Sequence, residues 1–120
     1  MVEELKARGV VLHNHICGNR LPIADNFIAT GAEVLEIDHK TDARAIKAKA
    51  RGKTTLLGNI DTSLLYSGTR AEVEAECREA IGIMAPDAGF ILGPGCALGT
   101  DTPAENIHAL VESAKKYGRY

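Results

Sequence analysis

Apolar and polar positions alternate along this chain with two different periods. Short apolar runs are followed by longer segments in which apolar residues recur at helical spacing, and glycine or a capping residue stands at most junctions. The short runs predict four strands, at residues 9–15, 33–38, 54–59 and 89–93. The longer segments predict helices at residues 22–30, 42–51, 70–85 and 103–117, and residues 2–8 resemble the end of a further helix.

The last two predicted helices carry start signals and apolar faces. Thr69 and Thr102 each precede a helix whose third residue is a glutamate, Glu72 or Glu105, and this spacing predicts a capping box at both sites. Each helix is expected to turn one stripe toward the sheet: Val73, Cys77, Ile81 and Met84 in the earlier helix, and Ile107, Leu110, Val111 and Ala114 in the later one. We therefore interpret Cys77 as a core thiol.

Four successive strand and helix units predict an α/β fold with a parallel sheet, because parallel neighbours need long, right-handed crossovers. No linker interrupts them, so residues 1–120 are interpreted as a single domain. This domain is either a small open sheet or half of a TIM (β/α)8 barrel, whose complete form takes about 250 residues. Ligands of both architectures bind at the carboxyl ends of the strands. Polar residues follow every predicted strand at that end: His13, His15 and Cys17; Asp38, His39 and Lys40; Asn59 and Asp61; and Cys96 and Asp101.

Composition narrows the classes of partner. A formal net charge of −2 and 4% aromatic residues without tryptophan argue against a nucleic-acid partner. No apolar run approaches the length of about 18 residues that a membrane span needs, so no membrane association is expected and the expected location is the cytoplasm. Three cysteines at irregular spacing indicate reduced thiols available for a metal or for packing. The turn at Gly93-Pro94-Gly95 lacks the spacing of a nucleotide-binding loop.

One imidazole and two thiols make up the candidate functional site. His15 and Cys17 are two positions apart on a strand, so their side chains project to the same side, and Cys96 follows another strand. One histidine and two cysteines are the ligands of a catalytic zinc that keeps a position open for substrate. The spacing alone also fits buried cysteines without metal. His13 is interpreted as a structural histidine, and His108 as a surface residue.

The chain resembles the C-terminal half of the uroporphyrinogen decarboxylase superfamily over almost its whole length. The resemblance is carried by residues 12–19, by Ile37-Asp38-His39-Lys40-Thr41-Asp42, by Leu57-Gly58-Asn59-Ile60-Asp61 and, most strongly, by residues 95–107. It implies a (β/α)8 barrel of which this chain is the last four units. True decarboxylases of the superfamily carry histidine where this chain has Cys96, and they lack the His-x-Cys pair. The chain is therefore similar to the zinc-dependent methylcobamide:thiol methyltransferase branch.

This resemblance implies a reaction and a set of partners. Zn²⁺ held by His15, Cys17 and Cys96 would activate a small thiol such as coenzyme M as a thiolate. The thiolate would take a methyl group from a methyl-corrinoid on a partner protein, leaving cobalt(I). Asp38, His39 and Asn59, together with His13, are the expected groups around the metal or in the pocket.

Three hypotheses remain open at this point. The chain is a fragment or split subunit of such a methyltransferase, completed by a missing half-barrel on another chain or by a second copy of itself. It is a non-catalytic half-barrel that binds a metal or a partner. Or it is a uroporphyrinogen decarboxylase-like protein that acts on a tetrapyrrole without metal.

Overall fold

Four parallel strands form one sheet with neighbours in the order β1-β2-β3-β4. The structure is a computed structural model that describes residues 1–118. Its strands are β1 His13–Ile16, β2 Val34–Ile37, β3 Thr55–Ile60 and β4 Phe90–Pro94. Each neighbouring pair is parallel, and helices alternate with the strands along the chain. The predicted α/β fold, half of a TIM barrel, is confirmed.

Six α-helices are described in residues 1–118, and one of them was not predicted. They are α1 Val2–Ala7, α2 Ala24–Ala29 (preceded by a 3-10 turn, Leu21–Ile23), α3 Ala43–Ala50, α4 Thr62–Ser67, α5 Arg70–Met84 and α6 Ala104–Tyr117. The unpredicted helix is α4, which is too short to show a helical period in the sequence. Its start is fixed by Asp61, whose carboxylate accepts the backbone N–H of Ser63 at 2.8 Å.

The first strand begins later than the apolar run suggests. Residues 9–12 lie outside β1, and Val11 is 70% exposed. Gly9 has a φ of 75°, in the left-handed region, and turns the chain out of α1. Leu12, just before β1, already contacts β2, because its carbonyl accepts the N–H of Val34 and its own N–H donates to the carboxylate of Glu33. The apolar run therefore includes a connection as well as a strand.

The core lies between one face of the sheet and the helices. Leu35 and Ile37 of β2 and Leu56 and Ile60 of β3 are fully buried there. The expected stripe of α5 meets them, since Val73, Cys77 and Met84 are also fully buried and Ile81 nearly so. The capping box between Thr69 and Glu72 at the start of α5 is present. The interpretation of Cys77 as a core thiol is confirmed.

The predicted capping box of α6 is absent, and its buried face follows the predicted stripe only in part, at Leu110. Thr102 donates its hydroxyl to the carbonyl of Gly99 at 2.8 Å instead of capping the helix, and Pro103 occupies the N-cap without a side-chain bond. The buried residues of α6 are Asn106, Ala109, Leu110 and Ser113, while Val111 is 43% exposed. Asn106 is buried because its amide donates to the carbonyls of Leu65 and Gly68 at the end of α4. A polar contact with the unpredicted helix thus rotates α6 away from its most apolar face.

The other face of the sheet carries a continuous row of residues. His15, Glu36, Leu57 and Ile91 are paired strand by strand across all four strands. Because side chains alternate along a strand, this row points away from the helices that cover Leu35 and Leu56. Ile91 is 45% exposed on this face. In a complete barrel such a face lines the interior.

Candidate metal centre

Three side chains with soft donor atoms converge at the carboxyl ends of the strands. Nε2 of His15, on β1, lies 3.2 Å from Sγ of Cys17. That sulfur lies 3.2 Å from Sγ of Cys96, which in turn lies 3.7 Å from Nε2 of His15. All three donor atoms fall within 4.8 Å of one another. A tetrahedral zinc with bonds of about 2.0–2.3 Å separates its ligand atoms by about 3.5–3.8 Å, so this donor set fits zinc after small movements.

Cys96 reaches β1 from the far edge of the sheet because the chain after β4 folds across the strand ends. The backbone N–H of Gly95 bonds the carbonyl of Ile60 at 2.8 Å. At the same residue the chain packs against the backbone of Asp38 and His39, where a Cβ on residue 95 would lie 2.7 Å from the amide nitrogen of His39. Only glycine allows this approach. Gly95 therefore helps to bring the thiol of Cys96 close to the thiol of Cys17.

The charge balance of the two thiols favours a cation between them. The hydrogen bond with Cys96 raises the pKa of the Cys17 thiol above its ordinary value, and loss of hydration and the charges of Cys96 and Asp38 add to this. Arg20 opposes the rise. Two adjacent thiolates repel each other, whereas a metal cation would stabilise both. Cys17 is exposed and Cys96 half-buried, so the cluster is open to solvent on one side.

Asp38 holds the turn that follows Cys17. Its carboxylate accepts the N–H of Gly18 at 2.7 Å and that of Lys40 at 2.9 Å, and the residue is 5% exposed. Burial raises the pKa of this carboxyl, but the two backbone N–H groups and the nearby His39 and Lys40 outweigh it, so the net pKa is lowered. Asp38 thus contacts the loop of Cys17 and makes no hydrogen bond to the three donor side chains.

His39 and Asn59 contact other residues at the strand ends and not the three donor side chains. Nδ1 of His39 is 3.2 Å from Asp38 and 3.6 Å from Asp61, and the Asn59 amide donates to the carbonyl of Thr41 at 3.4 Å. Both line an open cavity of about 600 Å³ that reaches the side of α5. Within residues 1–118, no hydrogen bond or ion pair joins His39 or Asn59 to the three donor side chains.

The residue nearest to the outer nitrogen of His15 is one that sequence reasoning missed. Oε2 of Glu36 lies 3.6 Å from Nδ1 of His15 and 3.0 Å from Nε2 of His13. His13 therefore pairs with Glu36 and is not among the converging donors. A signal was present in the sequence, because a carboxylate between the apolar Leu35 and Ile37 breaks an otherwise buried strand.

The remaining cysteine and histidine have the predicted environments. Burial raises the pKa of the Cys77 thiol to about 11. A thiol with this pKa is almost fully protonated at neutral pH. His108 is exposed on α6.

Comparison with known proteins identifies the family. The model of the uroporphyrinogen decarboxylase family matches residues 1–117. The chain belongs to the uroporphyrinogen decarboxylase family. The resemblance inferred from the motifs is thereby confirmed.

Members of both branches of the uroporphyrinogen decarboxylase family are similar to the chain. The methylcobamide:CoM methyltransferase MtbA of Methanosarcina mazei is 32% identical over 122 residues, covering 98% of this chain and 33% of that protein. The methylcobamide:CoM methyltransferase MtaA of Methanosarcina barkeri is 33% identical, covering 86% of this chain and 30% of that protein. The uroporphyrinogen decarboxylase of Wigglesworthia glossinidia brevipalpis is 26% identical, covering 90% of this chain and 34% of that protein.

A solved structure extends the comparison to the fold. A methyltransferase from Methanosarcina mazei superposes with a TM-score of 0.78 at 31% identity, covering 89% of this chain and 31% of that one. The chain thus spans about a third of the length of the relatives it matches. Of the helices described in residues 1–118, none has the length and apolar character needed to cross a bilayer.

Proposed function

We propose that this chain is the metal-binding part of a zinc-dependent methyltransferase that passes a methyl group from a corrinoid protein to a small thiol such as coenzyme M. The observation that carries the proposal is the convergence of His15, Cys17 and Cys96 to within 4.8 Å at the strand ends. Two of the similar family members are named methylcobamide:CoM methyltransferases, which supports the same chemistry.

The donor set matches the need of the reaction. Zinc, when bound, supplies a Lewis acid that holds a third sulfur as thiolate at neutral pH, where a free thiol with a pKa of about 8.5 is mostly protonated. Nε2 of His15 and the sulfurs of Cys17 and Cys96 would hold it, and the exposed side of Cys17 leaves room for the substrate sulfur. Both cysteines must be reduced, and not joined in a disulfide, to hold the zinc, which fits a reducing compartment such as the cytoplasm.

The neighbouring polar residues have separate tasks in this proposal. Asp38 fixes the backbone after Cys17 through the N–H of Gly18 and so holds the first thiol in place. His39 and Asn59 line the open cavity that reaches the side of α5, where they would bind or orient the substrates. A methyl-corrinoid is large and is carried by its own protein, so its approach requires the open side of the cluster.

We further propose that residues 1–120 form one domain that corresponds to the C-terminal half-barrel of the family. In residues 13–94 the two outer strands, β1 and β4, each pair on one side only. Ile91 and Ile16 are partly exposed on these strands. Unpaired edges and an uncovered inner face favour a partner that continues the barrel. The other half of the barrel would be a further part of the same polypeptide, another polypeptide or a second copy of this chain.

The alternative is a decarboxylase-like protein that acts on a tetrapyrrole without metal. It has support from the similar decarboxylase of Wigglesworthia. The paired thiols weigh against it, because two sulfurs 3.2 Å apart beside an imidazole nitrogen are metal-binding chemistry and have no task in a metal-free decarboxylation. A half-barrel that binds metal without turnover is the other alternative.

The proposal is tested by zinc content and methyl transfer. The full chain, purified under reducing conditions, is expected to hold about one zinc per chain and, with its barrel partner, to methylate coenzyme M from a methyl-corrinoid protein. Zinc without methyl transfer in the completed barrel would favour the non-catalytic alternative. No zinc after reconstitution, together with turnover of a tetrapyrrole, would establish the decarboxylase alternative.

A further inference from the structure

One nitrogen of the candidate ligand His15 has no hydrogen-bond partner among the described residues. Its Nε2 faces the two sulfurs, at 3.2 Å from Cys17 and 3.7 Å from Cys96. Its Nδ1 is buried and makes no hydrogen bond. An unpaired buried ring nitrogen is costly, and histidines that bind metal nearly always donate this second N–H to a carboxylate or carbonyl.

Glu36 is placed to be that acceptor. It is paired with His15 across β1 and β2, and its Oε2 lies 3.6 Å from Nδ1, slightly beyond hydrogen-bond distance. Its side chain is 17% exposed, and its row neighbour on β3 is the apolar Leu57. Within residues 1–118 the only ion-pair partners of this carboxylate are His15 and His13.

His13 holds the carboxylate on the other side. Nε2 of His13 lies 3.0 Å from the same oxygen of Glu36, and the side chain of His13 is 46% exposed. The two histidines stand two positions apart on β1, so they lie on the same face of the sheet, and Glu36 is paired with His15 on the neighbouring strand. A movement of Oε2 by less than about 1 Å would complete a hydrogen bond to His15.

We propose that Glu36 is a positioning residue for His15, and that His13 anchors Glu36. The carboxylate selects the tautomer of His15 with its proton on Nδ1, so that the lone pair of Nε2 points at the two sulfurs. The inference rests on the proposed role of His15 as a metal ligand. It goes beyond that role in assigning a task to Glu36 and His13, two residues outside the donor set.

The first test reads the tautomer of His15 without any metal. In the ¹⁵N-labelled, metal-free chain, two-bond ¹H–¹⁵N correlations at a pH where His15 is neutral distinguish the two tautomers. We expect the Nδ1–H form in the wild type and a shift toward the Nε2–H form in Glu36→Leu, with Glu36→Gln between them because its amide oxygen still accepts. The same tautomer in all three proteins would overturn the inference.

The second test measures zinc affinity by competition with a chelator. We expect Glu36→Leu to raise the Kd for zinc by about 10–100-fold, the usual effect of removing such a carboxylate, and Glu36→Gln to raise it less. Glu112→Gln, a change of the same charge on the exposed face of α6, is the matched control and should leave the Kd unchanged. An equal Kd in the wild type and in both Glu36 variants would overturn the inference.

The two tests separate this inference from the proposed function. A wild type that binds no zinc contradicts the proposed function, while the tautomer comparison still decides the role of Glu36. Thermal unfolding of each metal-free variant is measured alongside. A loss of zinc affinity that merely follows a loss of stability, with the tautomer unchanged, would mean that Glu36 has a structural role only.

Discussion

The sulfurs of Cys17 and Cys96 lie 3.2 Å apart although 79 positions separate the two residues in the chain. Cys17 follows β1 and Cys96 follows β4, the two outer strands of the sheet. A flat sheet would separate these strands by three spacings of about 4.8 Å each. The thiols meet because the chain after β4 crosses the end of β2 at Gly95. The candidate metal centre therefore depends on the crossing of the chain after β4 and not on one local motif.

Zinc binding should depend on the thiols of Cys17 and Cys96 and not on the thiol of Cys77. We expect Cys17→Ser and Cys96→Ser to lose bound zinc, because a hydroxyl is a far weaker zinc ligand than a thiolate. Cys77→Ser is the matched control and should keep its zinc, since Cys77 is buried in the core. Its effect should be a loss of stability of about 1–3 kcal/mol from burying a hydroxyl. Metal analysis of the three purified variants checks this, and equal zinc loss in all of them would refute the assignment.

Gly95 should be needed for the metal centre although it carries no donor atom. In Gly95→Ala the new Cβ would lie 2.7 Å from the backbone nitrogen of His39, so the loop that carries Cys96 must move. We expect the Kd for zinc to rise by at least about 10-fold, which corresponds to about 1.4 kcal/mol of binding free energy, together with reduced stability. Titration with zinc under reducing conditions measures the first effect and urea unfolding the second.

A glycine in open space provides the control for that change. A Cβ on Gly82, within α5, meets no atom within 4 Å. Gly82→Ala should therefore stabilise the chain by about 0.5–1 kcal/mol through helix propensity and leave zinc binding unchanged. If Gly95→Ala binds zinc as tightly as the wild type, the chain can pass the end of β2 with a side chain at position 95, and the prediction is wrong.

The sequence predicted the fold well because each strand and helix carries a local signal. Alternating apolar runs and helical stripes marked the strands and most helices, and the motif around His15 and Cys96 marked the donors. The hydrophobic pattern could not show that Asn106 would be buried, because its partners are carbonyls at the end of α4, a helix too short to have a period. Glu36 was missed for a similar reason. The role proposed for Glu36 depends on the strand register that places it opposite His15, and register is set by pairing between strands.

Asp38 should stabilise the fold in a pH-dependent way. Its folded-state pKa is lowered, so its contribution is present above the unfolded value of about 3.9 and is lost as the pH falls through the folded value. In Asp38→Asn only one oxygen remains to accept the two N–H groups of Gly18 and Lys40. We expect a loss of about 1–3 kcal/mol at pH 7.

Measuring the stability difference between the wild type and Asp38→Asn at several pH values tests the direction of the Asp38 pKa shift. The free energy of unfolding, measured in urea for the wild type and Asp38→Asn, should differ by the same amount between about pH 5 and 7 and by less below about pH 4. Asp101→Asn, at an exposed loop position, serves as the control and should match the wild type throughout. A difference that grows as the pH falls would contradict the assignment of a lowered pKa to Asp38.

Oxidation should join the thiols of Cys17 and Cys96 in a disulfide, and zinc should prevent it. The sulfurs of Cys17 and Cys96 are close enough for a disulfide after a small movement, while the exposed position of Cys17 admits an oxidant. Treating the metal-free chain with oxidised glutathione should therefore produce an internal disulfide that blocks zinc binding and that dithiothreitol reverses. Peptide mapping by mass spectrometry would locate the bond. Zinc added beforehand should protect both thiols, because a sulfur held by the metal is a poorer nucleophile toward the oxidant; equal rates with and without zinc would show that these sulfurs are not its ligands.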